Sequence, residues 1–234
     1  MHSLISRNFR APTFNDLYWP QGGNENLNAE TAVLIEAGIG ITDSWKGIGD
    51  HHLAFFRTDI SNGIRWTPGS GAFFQAQNYL SLLSYGVEWK ASKSLKIGSF
   101  YLNYFQSTSY TRSMIDKARF NDDAAVGNQL PNVPKWKYSG SISASKGKLS
   151  SSLHGNFVSE RYSTEQNNLR DPEPAYFVLD ASINYSKTVQ ETVVNLSLQV
   201  NNILDEHYEV VRLYPQPLRN FLITLTIKHR TGSS

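Results

Sequence analysis

The sequence predicts an all-β protein whose antiparallel strands form part of a transmembrane β-barrel. Apolar and polar residues alternate with period two along most of the chain, and the 3.6-residue period of an amphipathic helix is nearly absent. Most alternating runs are about nine to eleven residues long, the length of a tilted membrane-spanning strand. Long and short connections also alternate, as they do in outer-membrane barrels, where the short turns lie on the periplasmic side.

The amino-acid composition excludes several other classes of protein. The chain has 234 residues, 40% of them hydrophobic, which is enough for one large domain or two small ones. The net charge of +2 supplies no basic field for phosphate backbones, so nucleic acid is not an expected partner. No apolar run approaches the roughly 18 residues of a spanning helix. The absence of cysteine excludes disulfides and thiolate sites, and it fits a reducing cytosol or a bacterial envelope equally.

The amino terminus carries no secretory signal. The first ten residues lack both an apolar core and a small-residue cleavage site. The chain as written is therefore not expected to be exported. Either the protein is cytosolic, or Met1 is an internal start, an engineered boundary or the first residue of a gene fragment, and the strand pattern decides between these interpretations.

The strand from residue 83 to 91 shows the alternation most clearly. Leu83, Tyr85, Val87 and Trp89 form one face, and the intervening residues are polar or small. The same analysis predicts nine strands, and a shorter run at 4–9 is read as the tip of a tenth. The nine are residues 32–41, 52–60, 83–91, 95–105, 137–145, 149–158, 177–185, 194–201 and 221–228.

Aromatic residues near the strand ends predict girdles at the membrane interfaces. The predicted long loops are residues 11–31, 61–80, 106–136, 159–176 and 204–218, and the predicted short turns are residues 42–51, 92–94, 146–148 and 186–192. A closed single-chain barrel needs an even number of strands, and nine strands with a partial tenth do not close comfortably. We therefore predict the carboxy-terminal part of a larger barrel at 1–229, a short polar tail at 230–234 and no plug domain in this chain.

Three segments carry a family resemblance that periodicity does not provide. Residues 6–18, with residues 23–30, resemble a stretch of TonB-dependent outer-membrane receptors that reads S-x-x-F-R-A-P, then L-Y, then G-N-P-x-L-x-P-E. Residues 56–64 resemble the strand end Y/F-x-x-D-I-x-D-x-I of that family. Residues 201–208 and 214–221 are similar to the pair N-L-F-D-x-x-Y and Y-P-x-P-G-R-x-F that joins its last two strands. The motif positions are Phe9, Arg10, Ala11, Pro12, Asn24, Leu27, Glu30, Asn202, Leu204, Asp205, Tyr208, Pro217 and Arg219.

The resemblance implies a fold and a function. Barrels of this family have twenty-two strands around an amino-terminal plug, and this chain corresponds to the last nine strands with the tip of the one before. The siderophore- and cobalamin-receptor branch is the nearest likeness. The complete protein is thus expected in the outer membrane, where it imports a ferric chelate or cobalamin with energy that TonB passes to the plug. Expected partners are outer-membrane lipid, the plug, the remaining strands and TonB, and no cofactor is expected.

The chain departs from the family pattern at a few places. Glu25 and Ala29 stand where prolines are usual, and Leu218 stands where a glycine precedes the arginine, so those loops are expected to be less rigid. We interpret the asparagine-rich turn around Asn202 as structural, and Tyr208 as an anchor at the membrane interface.

Aromatic and arginine side chains in the predicted long loops are the candidate ligand contacts, because they stack on planar groups and bind anionic ones. They are Tyr18, Trp19, Arg65, Trp66, Phe73, Phe74, Tyr110, Arg112, Arg119, Arg170, Arg212 and Tyr214.

Two alternatives stay open at this point. The strands could form a soluble or peripheral β-sandwich that binds a ligand, or a smaller outer-membrane barrel with an enzymatic site on its loops. The sequence predicts no enzyme: its six histidines are scattered, and it contains no G-x-S-x-G, H-E-x-x-H or phosphate-cradling motif. No catalytic residue and no metal ligand is predicted.

Overall fold

The computed structural model describes residues 1–42, 47–68, 73–117, 123–167 and 172–229. Strands account for most of them, and none of these residues belongs to a helix that is long and apolar enough to cross a membrane. The elements are β1 (His2–Arg10), α1 (Phe14–Tyr18), β2 (Glu30–Ile41), β3 (Asp50–Pro68), β4 (Phe74–Ile97), β5 (Phe100–Ile115), β6 (Trp136–Lys146), β7 (Leu149–Val158), β8 (Tyr176–Val189), β9 (Thr192–Asn201), β10 (Glu209–Val211), β11 (Tyr214–Pro215) and β12 (Asn220–His229).

Ten of the strands form one antiparallel sheet. Its order is β1 to β9 in sequence followed by β12, and β10 and β11 form a separate two-stranded ribbon. Within the described residues β1 and β12 each pair on one side only, so the sheet is open. The predicted all-β antiparallel fold is confirmed, and an open sheet is consistent with part of a larger barrel.

The two faces of the sheet differ in polarity, as alternation predicts. On the outer face, large apolar side chains stand exposed, among them Phe55, Ile142, Ile183 and Ile223. The inner face carries hydroxyls that pair across strands, such as Ser152 with Ser182 at 2.8 Å between the Oγ atoms. An exposed apolar face opposite a polar one is the arrangement of a barrel wall between lipid and lumen.

Several strands are longer than predicted. The predicted loop at 61–80 is mostly strand, because β3 continues to Pro68 and β4 begins at Phe74. Likewise β5 continues to Ile115, so the first part of the predicted loop at 106–136 is strand. Residues 106–111 are Gln, Ser, Thr and Tyr only. Thr and Tyr are common in strands, but the segment is so polar that its hydropathy does not distinguish a strand from a loop. These strands extend beyond the length that a membrane requires.

Two turn positions were also wrong. The predicted turn at 92–94 lies inside β4, and the chain reverses at Gly98 and Ser99, where Gly98 has a φ of 59°. The reversal after β8 occurs at residues 190–191, so residues 186–189 belong to the strand. The turn at 146–148 lies where it was predicted, with Gly147 at a φ of 59°. The predicted tip at 4–9 is a strand of nine residues that pairs with β2 along its whole length.

The long connections still lie at one end of the sheet and the short turns at the other. The long segments that the structure describes in full or in part are residues 11–29, 116–135, 159–175 and 202–219, together with the extended β3–β4 hairpin. A small apolar cluster of Ile115 and Ala125, packed against Leu82 and Leu130, anchors the 116–135 connection on the sheet. The first and third family motifs and most of the candidate ligand contacts lie at this loop end.

Candidate functional site

The first family motif folds the 11–29 segment onto the β3–β4 hairpin. Thr13 caps α1 and shares a capping box with Asp16, whose Oδ2 accepts hydrogen bonds from the backbone N–H of Thr13 at 2.9 Å and from its hydroxyl at 2.7 Å. The other oxygen of Asp16 accepts from Nε1 of Trp66, 3.0 Å away on β3. Asp16 is buried, and it ties the short helix to the hairpin.

Arg10 and Glu30 of the same motif continue this network across β1 and β2. Arg10 forms an ion pair with Glu30 and lies 4.0 Å from Asp16. Glu30 also accepts a hydrogen bond from the backbone N–H of Ile64 at 2.6 Å. Asn24 donates its side-chain N–H to the carbonyl of Ala76 at 3.2 Å. The motif residues therefore hold the loop structure in place, which explains why the chain needs this pattern here.

Electrostatics at Asp16 favour its charged form. Burial alone would raise the pKa of this carboxyl, but the hydrogen bonds from Thr13 and Trp66 and the nearby charge of Arg10 outweigh burial, so the pKa of Asp16 is lowered from its ordinary value. The carboxylate acts as a charged acceptor at neutral pH.

The middle loops are joined to one another. Gln129 exchanges hydrogen bonds with Asn167, through its backbone N–H at 2.8 Å and its carbonyl at 2.7 Å. Arg65 on the β3–β4 hairpin forms an ion pair with Glu165 at 2.9 Å. The carbonyl of Glu165 in turn accepts from the side chain of Asn128 at 3.0 Å. The 116–135 and 159–175 segments and the hairpin thus form one connected layer above the sheet.

Asn202 of the third motif is the centre of the last loop. It is buried, with a φ of 52°, and its side-chain oxygen accepts from the N–H of Glu206 at 2.9 Å. Its side-chain nitrogen donates to the carbonyls of Glu206 and Pro217. Its own backbone N–H is bound by the Asp180 carboxylate at 2.8 Å. The structural interpretation of this turn agrees with these contacts.

Arg161 links the last two loops, and the sequence did not single it out. The side chain is only 3% exposed, and its guanidinium donates to the carbonyls of Val210 at 2.7 Å and Glu209 at 2.9 Å. The guanidinium also lies over the ring of Tyr176, 5.4 Å from its centroid. A buried arginine that pairs with carbonyls inside a loop layer has no short-range sequence signature, because its partners are 48 and 49 residues away.

Tyr208 faces the inside of the sheet and not the membrane interface. Its ring packs on Tyr176 with 4.5 Å between the centroids, and Tyr176 lies on the inner face with Val178 and Asp180. Burial, with smaller effects of Tyr176 and Asp180, raises the pKa of the Tyr208 hydroxyl. The prediction of an interfacial anchor was wrong, because the 202–219 loop turns back over the inner face.

A recess opens beneath these residues on the inner face. Its volume is about 600 Å³, and it lies between the loop ends of β7, β8, β9 and β12 and the β10–β11 ribbon. Amide, carboxylate and phenol groups line it together with a few apolar side chains. The polar lining residues are Asn156, Tyr176, Asp180, Asn201, Asn202, Tyr208 and Asn220.

The ligand candidates chosen from the sequence lie in different places. Tyr18, Trp19, Phe73 and Phe74 are largely exposed at the loop end, and so is Tyr214. Arg212 is exposed in the turn between β10 and β11. Arg65 forms the ion pair with Glu165, and Trp66 donates the hydrogen bond to Asp16, as described above. Arg119 and Arg170 lie outside the described residues.

Tyr110 and Arg112 are not loop residues. They belong to β5, where register places Tyr110 opposite Val87 and Arg112 opposite Tyr85 on the outer face. Tyr110 packs on Trp136 with 4.9 Å between the ring centroids, and Arg112 donates to the carbonyl of Gly127 at 2.8 Å. Their position on the outer face does not support contact with a ligand inside the barrel.

Comparison with known proteins identifies the family of this chain. Residues 4–203 match the family model described as TonB dependent receptor-like, beta-barrel. The vitamin B12 transporter BtuB of Vibrio vulnificus is 26% identical over 226 residues, which cover 94% of this chain and 33% of the relative. The vitamin B12 transporter BtuB of Photobacterium profundum is 38% identical over 60 residues, which cover 26% of this chain and 9% of the relative.

Solved structures agree on the fold. The copper transporter OprC superposes with a TM-score of 0.74 at 18% identity, covering 95% of this chain and 36% of that one. A mutant of the ferric enterobactin receptor from Pseudomonas aeruginosa, in complex with enterobactin, gives a TM-score of 0.72 at 18% identity, covering 95% and 37%. The chain thus spans about a third of the length of these relatives. It belongs to the TonB-dependent receptor-like β-barrel family.

Proposed function

We propose that this chain is the carboxy-terminal part of the barrel of an outer-membrane receptor that imports a scarce chelate, such as a ferric siderophore or cobalamin. The family match over residues 4–203 is the observation that carries the proposal. The relatives named above as transporters or receptors take vitamin B12, copper and ferric enterobactin. In the complete protein, further strands would pair with the open edges of β1 and β12 around a plug, and TonB would supply energy through that plug.

The recess at the loop end supports a binding role for this part of the barrel. It faces inward, it is lined by amide and phenol groups, and its loops are fixed by Asn202 and Arg161. Hydrogen-bonding groups that are held in place by their neighbours bind a polar ligand at a smaller ordering cost. We propose Tyr208, Asp180 and Asn156 as contacts to the imported chelate, ahead of the outer-face residues Tyr110 and Arg112.

The two alternatives find less support. A β-sandwich needs two packed sheets, and the described residues form one ten-stranded sheet and a short ribbon. The family is one of receptors and transporters, which favours transport over a barrel enzyme.

Uptake by the complete receptor tests the proposal. The receptor that contains this chain is expressed in cells lacking their own cobalamin and siderophore receptors, and radiolabelled cyanocobalamin, ferric enterobactin and copper are offered separately. We expect uptake of one of them, loss of uptake in cells without TonB, and a large loss in the variant Asp180→Asn with Tyr208→Ala. The matched control is Tyr185→Ala on the outer face of the same strand β8, which should transport normally. Uptake that persists without TonB, or no uptake of any chelate by correctly inserted receptor, would contradict the proposal.

A further inference from the structure

A second recess lies between the 159–175 segment and the β10–β11 ribbon. Its volume is about 520 Å³, within the range of small-molecule sites, and most of its wall is apolar. The apolar wall includes Pro174, Pro215, Leu218 and Tyr208. Of the described residues that line either recess, only Tyr208 is common to this one and the one proposed for the chelate, so the two are neighbours.

Glu173 places a carboxylate in this apolar wall. The residue is only 5% exposed, and it lines the recess. Among the described residues, no hydrogen bond or ion pair reaches its carboxylate. A buried charge is costly unless it is paired, so the free oxygens of Glu173 are suited to a partner that enters the recess.

Arg161 lies directly opposite Glu173 but donates its hydrogen bonds elsewhere. The two residues exchange backbone hydrogen bonds of 2.9 and 3.0 Å, so their side chains lie on the same side of the pair, with Cβ atoms about 5 Å apart. The guanidinium donates to the carbonyls of Val210 and Glu209, and its Nε is buried without a partner among the described residues. Arg161 thus adds a positive charge near Glu173 without occupying the carboxylate oxygens.

The charges around the recess leave a negative excess. Glu209 also lines it, and the Glu209 carboxylate accepts a hydrogen bond from the N–H of Leu213 at 2.6 Å. The carboxylates of Glu173 and Glu209 therefore stand against the single guanidinium of Arg161. The apolar wall suits the hydrocarbon body of an organic cation, whereas a metal ion requires several charged or polar ligands.

We propose that this recess is a second small-molecule site, which binds an amine with an apolar ring. The ammonium group donates hydrogen bonds to Glu173, and the ring packs on Pro174, Pro215 and Leu218. Hydrogen bonds to a charged group are stronger where water is excluded, and Glu173 is nearly buried. The site goes beyond the proposed import of a chelate, which is assigned to the neighbouring recess.

Equilibrium dialysis with radiolabelled tryptamine tests the inference. The full chain is inserted into phosphatidylcholine vesicles, protection from added protease confirms insertion of every sample, and tryptamine retained by protein-free vesicles is subtracted. We expect saturable binding, and an affinity at least about tenfold weaker in the variant Glu173→Gln, because a charge-assisted hydrogen bond is replaced by a neutral one. Indole-3-ethanol, which has the same ring and no charge, should bind the unmodified chain at least about tenfold more weakly than tryptamine. The variant Leu218→Trp, which fills the recess, should also lose binding.

Two variants serve as matched controls. Glu160→Gln removes the same charge from an exposed position of the same segment, and Asn156→Ala changes a residue that lines only the neighbouring recess. Both should bind tryptamine as the unmodified chain does. Equal affinity of Glu173→Gln and the unmodified chain would overturn the inference, as would equal binding of indole-3-ethanol, because apolar contact alone would then explain the retention. Unchanged binding by Leu218→Trp, or an equal loss in Glu160→Gln, would place the amine outside this recess and overturn the inference as well.

Discussion

Asn202 shows how one side chain organises the 202–219 loop. The side-chain amide of Asn202 makes three hydrogen bonds with backbone groups of residues 206 and 217. The backbone N–H of Asn202 donates a fourth to the Asp180 carboxylate, so four hydrogen bonds meet at a buried residue. The recess wall formed by Tyr208 and Pro217 depends on these contacts, because both residues lie in the loop that Asn202 closes.

Replacement of Asn202 by alanine is expected to destabilise the protein by about 2–4 kcal/mol. The change leaves buried loop groups without partners and places a Cβ residue at a positive φ without the compensating amide. Urea unfolding of the reconstituted chain measures the loss. The matched control is Asn201→Ala, whose side chain makes contacts among exposed or half-buried groups and should cost about 1 kcal/mol or less. Equal costs at the two positions would contradict the role assigned to Asn202.

Asp16 makes the first loop sensitive to acid. Because its folded pKa is lowered, its contribution to stability is complete above the unfolded pKa of about 4 and is lost as the pH falls through the lower folded value. We expect the indole N–H signal of Trp66 to shift over this acid range, as the bond to Asp16 weakens. In the variant Asp16→Asn that titration should disappear. An unchanged titration in the variant would assign it to another group.

The alternation of apolar and polar residues located some strands accurately and missed the ends of others. Strands with one clearly apolar face, such as β9 and β12, were placed within one or two residues of their ends. The extensions of β3, β4 and β5 were missed, because the residues of these extensions alternate among polar and aromatic types that also occur in loops. The candidate site was predicted less well. Its polar lining comes from four strands and the 202–219 loop, and only Asn202 and Tyr208 among these residues are positions of the family motif.

Gly86 on β4 lies in close contact with the backbone of the neighbouring strand and with an inner-face side chain. A Cβ atom on Gly86 would lie 2.0 Å from the carbonyl oxygen of Tyr110 and about 3 Å from the ring of Phe56. The variant Gly86→Ala is therefore expected to cost about 1–3 kcal/mol in unfolding free energy.

Gly40 on β2 supplies the matched control for Gly86. It also lies on the inner face of a strand, but a Cβ there would meet its nearest atom at 3.7 Å. The variant Gly40→Ala should therefore be neutral or slightly stabilising, because alanine restricts the unfolded chain. A comparable loss of stability in both variants, measured by urea unfolding, would mean that glycine content and not close approach matters in this sheet.

At the scale of the whole molecule, the sheet has an apolar outer face, a polar inner face and a connected layer of loops at one end. This arrangement separates two roles. In the proposed outer-membrane location the outer face would meet lipid, and the inner face with its loops forms the recess proposed to bind the chelate. The open edges at β1 and β12 are the places where further strands of a receptor barrel would pair.

If the sheet spans a membrane, alternate residues along each strand face lipid and lumen. The chain has no cysteine, so single cysteines can be placed one at a time along β8 from 177 to 185 and labelled with a fluorophore. In vesicles, labels at 177, 179, 181, 183 and 185 should be quenched by a lipid-soluble quencher, and those at 178, 180, 182 and 184 by a water-soluble one. Quenching with this period of two is the result predicted here, and uniform access of the water-soluble quencher at all nine positions would contradict it.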